Sequence, residues 1–481
     1  MYEIELKLQI PAHKYLLLHK AFLTKTTQKI DLHARYFDTQ DCKLAKKLMA
    51  LRIRKEGEHW IQTFKSSGES HLQRFEHEFD LGTSKKIPSL NLAIYQNEPQ
   101  ALALLNQALG EHWQALELQF ETIVQRHYRI IDLNQSKIEV CLDLGSLKSQ
   151  QHERPIQEVE FELKSGQIHD LIALTSQWVN RYHLWLDVRS KAERGHLLAQ
   201  NKRVSPATTM QAFQLDAHLS AENAIKAMVA NCLEHILPNV AAISEHIADA
   251  SHVHQARVAI RRLRSLLKHF SGWSTQMNTT WNKQLAELFR QLGNSRDQTI
   301  IQQSILPKMK KAGLNVQLAT TMNDDAILSS IFQDPLTTQL WLELLDFAYT
   351  PNLALDSTYK LKTKAAKVLK KLHHKIAKSA LNYKKLNLTQ KHDLRKELKA
   401  LRYNIEFVQG LYSKKTTQRY VKKLASLQKV FGQYHDILLV EQLLDNQKPS
   451  PSHTWLKQQQ KCYEKALRKK LKKFLTLDVF W

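Results

Sequence analysis

The sequence predicts an α+β chain in two parts, a strand-dominated first part of about 200 residues followed by an all-α bundle. Three observations predict this. Short runs before residue 200 alternate charged and apolar side chains with the period of a strand. Beyond residue 216 the apolar residues recur at threes and fours, glycine is scarce and strand patterns are not evident. The charge divides at the same place: residues 1–200 hold 26 Lys+Arg against 25 Asp+Glu, and the rest of the 481-residue chain holds 44 against 21. A length of 481 residues is enough for two cores.

Residues 1–10, MYEIELKLQI, set the pattern of the first part. Glu3, Glu5 and Lys7 alternate with Ile4, Leu6 and Leu8, and the side chains of an extended strand alternate between faces. Two carboxylates about 7 Å apart on one face repel each other unless a cation sits between them. A hard divalent ion sharing its shell with phosphate oxygens suits that position. A solvated charged face on a surface strand is the competing reading. A short helix is expected over 12–23, then strands over 34–38, 50–55, 60–65 and 73–81, and a helix over 102–118. Strands over 128–134 and 137–144 form a hairpin at Asn134-Gln135-Ser136. A strand over 156–163 and a helix over 168–182 complete this part.

Several of these strands repeat the charged face. Arg52 and Arg54 flank Ile53, and Arg74, Glu76 and Glu78 alternate with Phe75, His77 and Phe79. Glu139 and Asp143 lie opposite Val140, Leu142 and Leu144, while Glu158, Glu160 and Glu162 alternate with Val159, Phe161 and Leu163. The cations are largely arginine, which suits bidentate recognition of oxyanions. Closing such strands into a barrel with the charges inward gives a lumen of acids and bases together. Bases there would take phosphate oxygens and carboxylates a metal. No Ser or Cys nucleophile with an adjacent base is evident, and His33, His77 and His127 show no metal-ligand spacing.

In this order, Glu3-Ile-Glu-Leu-Lys7 (the ExExK pattern), LRIR at 51–54, TFK at 63–65, QRFEHE at 73–78, EVE at 158–160 and SKAERG at 190–195 resemble the CYTH family, the triphosphate tunnel metalloenzymes. The resemblance runs over about residues 1–200. It implies an eight-stranded antiparallel β tunnel with flanking helices, using Mg²⁺ or Mn²⁺ to act on triphosphates. It implies metal ligands at Glu3, Glu5, Glu158 and Glu160, and phosphate-binding bases at Lys7, Arg52, Arg54, Lys65, Arg126 and Lys191. Glu3, Glu5 and Lys7, with Asp143 as an acid of the tunnel, would then form the catalytic set. Glu76 and Glu78 fall where the family has further acids, Glu162 extends the pattern, and Arg74 and Glu139 are candidate walls.

The second part follows a polar linker over 201–215 that contains Pro206. Helices are expected over 221–237, 253–270, 281–292, 361–382, 392–411, 414–431 and 453–474. An internal repeat runs through them. His254, Arg257, Arg261 and Arg264 follow the spacing H-x2-R-x3-[RK]-x2-R, and so do His392, Arg395, Lys399 and Arg402. Further along each half, LGNSRD with Arg296 matches FGQYHD with His435. Steps of three and four put each set on one helical face. A column of like charges costs stability unless an anion neutralises it, and duplication in one register weighs against a merely solvated face. These motifs resemble the CHAD domain, over about residues 216–481. The resemblance implies binding of inorganic polyphosphate by these ten residues, with Lys399 and His435 departing from Arg261 and Arg296.

The +23 balance of this half points to a polyanion. Without aromatic–basic interleaving, nucleic acid fits it poorly. Cys42, Cys141, Cys232 and Cys462 lie far apart with no CxxC or CxxH pairing, which argues against a zinc site or a disulfide framework and suits a reducing cytosol. Glu3 and Glu5 argue against a secretory leader, and no apolar run approaches a membrane span. The expectation is a cytoplasmic, metal-dependent hydrolase of inorganic triphosphate with a polyphosphate-binding helical domain. Two alternatives stand beside it. One is a polyphosphate-binding or scaffolding protein with little catalysis. The other is a tunnel acting on thiamine triphosphate or nucleoside triphosphates, or, with least support, cyclising ATP.

Overall fold

The computed structural model describes residues 2–68, 72–150, 152–293, 305–314, 316, 325–351, 360–444 and 450–481. The chain forms two compact units. The first contains Met1–Thr208 together with Leu237–His252 and Ser329–Thr350, and the second contains Thr209–Ile236, Val253–Leu328 and Pro351–Trp481.

The first unit is built on eight strands: β1 (Tyr2–Gln9), β2 (Gln28–Asp38), β3 (Met49–Glu56), β4 (His59–Ser67), β5 (Gln73–Thr83), β6 (Glu117–Leu133), β7 (Ser136–Ser149) and β8 (His152–Ser165). Their order is β5-β4-β3-β2-β6-β7-β8-β1, and β5 pairs back onto β1, so the antiparallel sheet closes into a tunnel. A two-residue strand, Trp185–Leu186, pairs with the far end of β1.

Closure fixes which side chains face one another, because residues paired directly across an antiparallel ladder share a face. Glu3 pairs with Arg74, Glu76 with Lys65, and Glu78 with Thr63, which in turn pairs with Arg52. Arg52 pairs with Tyr36, Tyr36 with Phe120, Arg126 with Asp143, Asp143 with Glu158, and Glu160 with Lys7. The circuit returns to β1 on the face it left, so the charged alternation of every strand lines one continuous surface. The opposite face is covered by helices. Phe161 and Phe22, from helix α1 (Tyr15–Phe22), pack on Trp178 of α3 (Ile168–Tyr182). Leu51, Phe64 and Phe75 pack under Tyr95 and α2 (Pro99–Leu109). The charged surface is therefore the inner one.

Toward one end the inner face turns apolar: Leu32, Ala34, Tyr36, Phe120, Val124, Leu147 and Ile156 cluster around Leu198 of α4 (Lys191–Ala199). Gly195 makes this close seat possible, since a Cβ there would lie 2.0 Å from the Phe120 ring.

The expected helix over 102–118 is shorter. It ends at Leu109, where Gly110 takes a positive φ of 58° that terminates the helix, and β6 begins at Glu117 rather than Tyr128. The apolar spacing around residues 116–118 belongs to that longer strand. Helix α5 (Ala221–Ser244) continues through Pro238 instead of stopping at 237. The proline removes one hydrogen bond, but Leu237, Val240, Ala241, Ala242 and Ile243 are all buried, which outweighs the loss. Helices Leu306–Lys311, Asp325–Gln333 and Pro335–Tyr349 were not expected. The last carries an Asp334 N-cap accepting from Leu336 N–H and a proline in its first turn.

The second unit is helical. Its described helices include the greater part of α6 (Ala250–His269), α7 (Trp281–Gln291), Leu361–Leu381, Leu388–Val408, Lys414–Leu444 and Pro451–Leu475. Among the described residues no helix is long and apolar enough to cross a membrane.

Candidate active site in the charged tunnel

Three carboxylates on adjoining strands converge in the lumen. Asp143 of β7 and Glu158 and Glu160 of β8 each offer an oxygen within 4.8 Å of the others. Lys191, the first residue of α4, places its Nζ among them at 2.7, 2.5 and 2.8 Å. Arg126 donates to both oxygens of Asp143 at 2.7 Å and to Glu160 at 2.6 Å. Lys7 Nζ lies 3.2 Å from Glu160 and 3.7 Å from Glu5. Arg194 donates to Glu158.

The titration of these groups follows the contacts. Burial raises the Asp143 carboxyl, but Arg126 and Lys191 outweigh it and hold it below the ordinary range. Glu160 is opposed by burial in the same way, and Lys191, Lys7 and Arg126 hold it well below. Burial works against the Lys191 ammonium, and its three carboxylates raise it. Glu162 behaves oppositely, because burial and the nearby Glu3 push it up to about 7.

Across the lumen the wall carries cations paired with acids. Lys65 of β4 binds Glu3 at 2.6 Å and Glu76 at 3.0 Å. Arg52 of β3 lies 3.8 Å from both Glu76 and Glu78 and donates to the Tyr36 hydroxyl. Arg54 pairs with Glu56 and lies 3.9 Å from Glu78. Arg74 reaches Glu5 at 3.3 Å. Each tunnel residue singled out by sequence thus lies on the inner face or reaches into it. Glu158 and Glu160 join Asp143 in one convergent set, whereas Glu3 and Glu5 engage Lys65, Lys7 and Arg74 instead. Arg194 was not singled out, although it stands three residues after Lys191, on the same helical face. Among divalent ions an all-oxygen set suits Mg²⁺ or Mn²⁺, and Glu158 Oε1 receives no well-directed hydrogen bond. Asp143, Glu158 and Glu160 therefore fit a hard cation.

In the second unit the two histidines of the second half-repeat meet. The imidazoles of His392 and His435 lie 5.2 Å apart. His435 is lowered to about 4 by burial and by Arg395, His392, Lys399 and Arg261, so cations from both halves bear on one ring. Arg264 is lowered by burial, Arg261 and Arg290, the like-charge stress a basic column should show. Other members are tied into the fold. Arg257 donates to the Leu292 carbonyl and, like Arg261, stacks on Phe289. Arg402 is held by Glu406 at 2.7 Å and Gln428 at 3.3 Å. His254 is half-buried on α6, and Arg296 lies outside the described residues.

A closed antiparallel tunnel with a charged lumen, joined to a basic helical unit, defines the class of protein. Comparison with known families adds to this: residues 1–195 match the CYTH domain and residues 227–445 match the CHAD domain. A curated relative, the inorganic triphosphatase of Haemophilus influenzae, is 33% identical over 207 residues. That match covers 42% of this chain and 56% of the relative, so the alignment spans little more than half the relative's length. Among solved structures, the CHAD domain of Ricinus communis is 26% identical with a TM-score of 0.40, covering 55% of this chain and 96% of that one. A Hippeastrum protein, HpAC1, reported with a dominant triphosphatase activity, is 17% identical with a TM-score of 0.29, covering 42% of this chain and 97% of its own.

Proposed function

We propose that the tunnel hydrolyses inorganic triphosphate to diphosphate and phosphate with Mg²⁺ or Mn²⁺, and that the basic helices bind inorganic polyphosphate. The observation that carries this is the convergence of Asp143, Glu158 and Glu160 beside Arg126, Lys7 and Lys191, facing the Arg52–Arg54–Lys65 wall. Arg52, Arg54 and Lys65 would hold phosphate oxygens, with Arg52 and Arg54 offering forked donors. Arg126, already bridging Asp143 and Glu160, orients both carboxylates. Lys191 occupies the place where a cation is best stabilised, and turns to phosphate when that place is taken. When bound, the metal neutralises phosphate charge and makes its water a stronger nucleophile. Glu3 and Glu5 would complete its coordination from β1.

Phosphate release from triphosphate, long-chain polyphosphate, ATP and thiamine triphosphate, each with Mg²⁺, Mn²⁺ or EDTA, tests this reading. Rapid metal-dependent release from triphosphate, lost in Glu160→Gln with polyphosphate still retained, supports it. Absence of release from all four, with polyphosphate bound, would make the chain a binding protein.

A further inference from the structure

A second group of metal-ligating side chains lies away from the convergent carboxylates. Asp38, Cys42 and His196 are buried, with one ligand atom from each lying within 4.8 Å of the other two. Asp38 Oδ2 and His196 Nε2 are 3.9 Å apart. Zinc bonds of about 2.0–2.1 Å at a tetrahedral angle put such nitrogen and oxygen atoms about 3.4 Å apart, so the Asp38–His196 pair would need to close by about half an ångström. Sequence spacing alone argues against zinc here, because the histidine lies far along the chain and only the seating of α4 brings it to Cys42.

The surroundings are already arranged. Asp38 is fixed by backbone donors: Oδ1 accepts from Thr39 at 2.7 Å and Leu44 at 2.9 Å, and Oδ2 accepts from Ala45 at 2.9 Å. Gln200 donates to Cys42 Sγ at 3.2 Å, the outer contact a thiolate ligand uses. The His196 ring is oriented edge-on to Phe120 at 5.0 Å. Both of its nitrogens are buried and take no hydrogen bond. A buried orphan polar atom costs about 1–3 kcal/mol, and Nε2 is the atom that faces Asp38.

We propose that Asp38, Cys42 and His196 form a site for a thiophilic divalent ion, zinc in particular, with water as fourth ligand. Coordination releases the Cys42 thiol proton to solvent. The thiolate sets this site apart from the all-oxygen cluster of Asp143, Glu158 and Glu160, which suits harder ions. Its effect is mechanical: the ion ties the turn after β2 to α4, the helix that carries Lys191 and Arg194 into the lumen. The inference stands whether or not triphosphate is the substrate.

The full chain, stripped with EDTA, is titrated with Zn²⁺ alone and with Co²⁺ alone. Co²⁺ should give a thiolate charge-transfer band and tetrahedral visible bands. The band should be lost in Cys42→Ser and retained in Cys141→Ser, the buried cysteine of the tunnel wall. His196→Gln should weaken Zn²⁺ by at least about a hundredfold, beyond the effect of outer-shell changes. A wild-type Co²⁺ spectrum without the thiolate band, or unchanged affinity in both Cys42→Ser and His196→Gln, would overturn the proposal. Should those variants fail to fold, alkylation of the wild-type chain decides. Zn²⁺ should slow modification of Cys42 at least tenfold relative to exposed Cys462, and an unchanged ratio would refute the site.

Discussion

Lys191→Met removes an ammonium that touches all three convergent carboxylates. Its Nζ lies 2.5–2.8 Å from Glu158, Asp143 and Glu160, and at an effective dielectric of about 20 each such contact carries about 6 kcal/mol of attraction. Desolvation offsets most of that, so loss of one partner from a buried ionic group costs about 3–5 kcal/mol. In the first unit this should lower the melting temperature by roughly 10 °C in EDTA, at about 2–4 °C per kcal/mol. Without Lys191, Asp143 and Glu160 titrate higher, so the deficit shrinks as pH falls and one carboxylate protonates. A divalent ion should replace the missing charge. Mn²⁺ at a hundred times its Kd returns about 2.7 kcal/mol, and the gain should exceed that of wild type, where Lys191 competes for the place. Melting scans with EDTA and Mn²⁺ read all of this. A loss below about 1 kcal/mol in EDTA, or equal Mn²⁺ stabilisation of both proteins, would refute the reasoning.

Gly195→Ala should destabilise the first unit by about 1–3 kcal/mol through overpacking against Phe120, measured as a shift in urea midpoint. In the second unit His235, His269 and His435 are each lowered to about 4, burial being the largest cause. Unfolding lets them take up protons near 6.5, so stability is full above that pH and is lost as pH falls toward 4. A denaturation series from pH 7 to 4 should show the decline, and His235→Gln should flatten it. Polyphosphate binding should tighten on acidification, because neutralising Arg395, Lys399 and Arg261 lets His435 protonate. Calorimetry in buffers of different ionisation enthalpy should detect proton uptake that His435→Gln reduces.

The sequence by itself determined the local architecture and the order of its parts. Strand and helix periods are properties of neighbouring residues, so all eight tunnel strands were legible. So were the duplicated H-x2-R-x3-[RK]-x2-R columns and the charged face beginning at Glu3. The short helices of residues 306–333 offered too little periodicity, though Asp334-Pro335 was an N-terminal signal that could have been read. Tertiary structure decided which charges meet. The closure of β5 onto β1 made one inner surface of eight separate faces, and α4 set Lys191 and Arg194 among acids from β7 and β8. The electrostatic influence of Arg261 on His435 and the meeting of Asp38 and Cys42 with His196 have the same origin. Side-chain alternation is fixed by covalent geometry within a few residues, whereas strand register and helix seating depend on packing between segments far apart in the chain. The carboxylates could therefore be found one strand at a time, but their convergence could not.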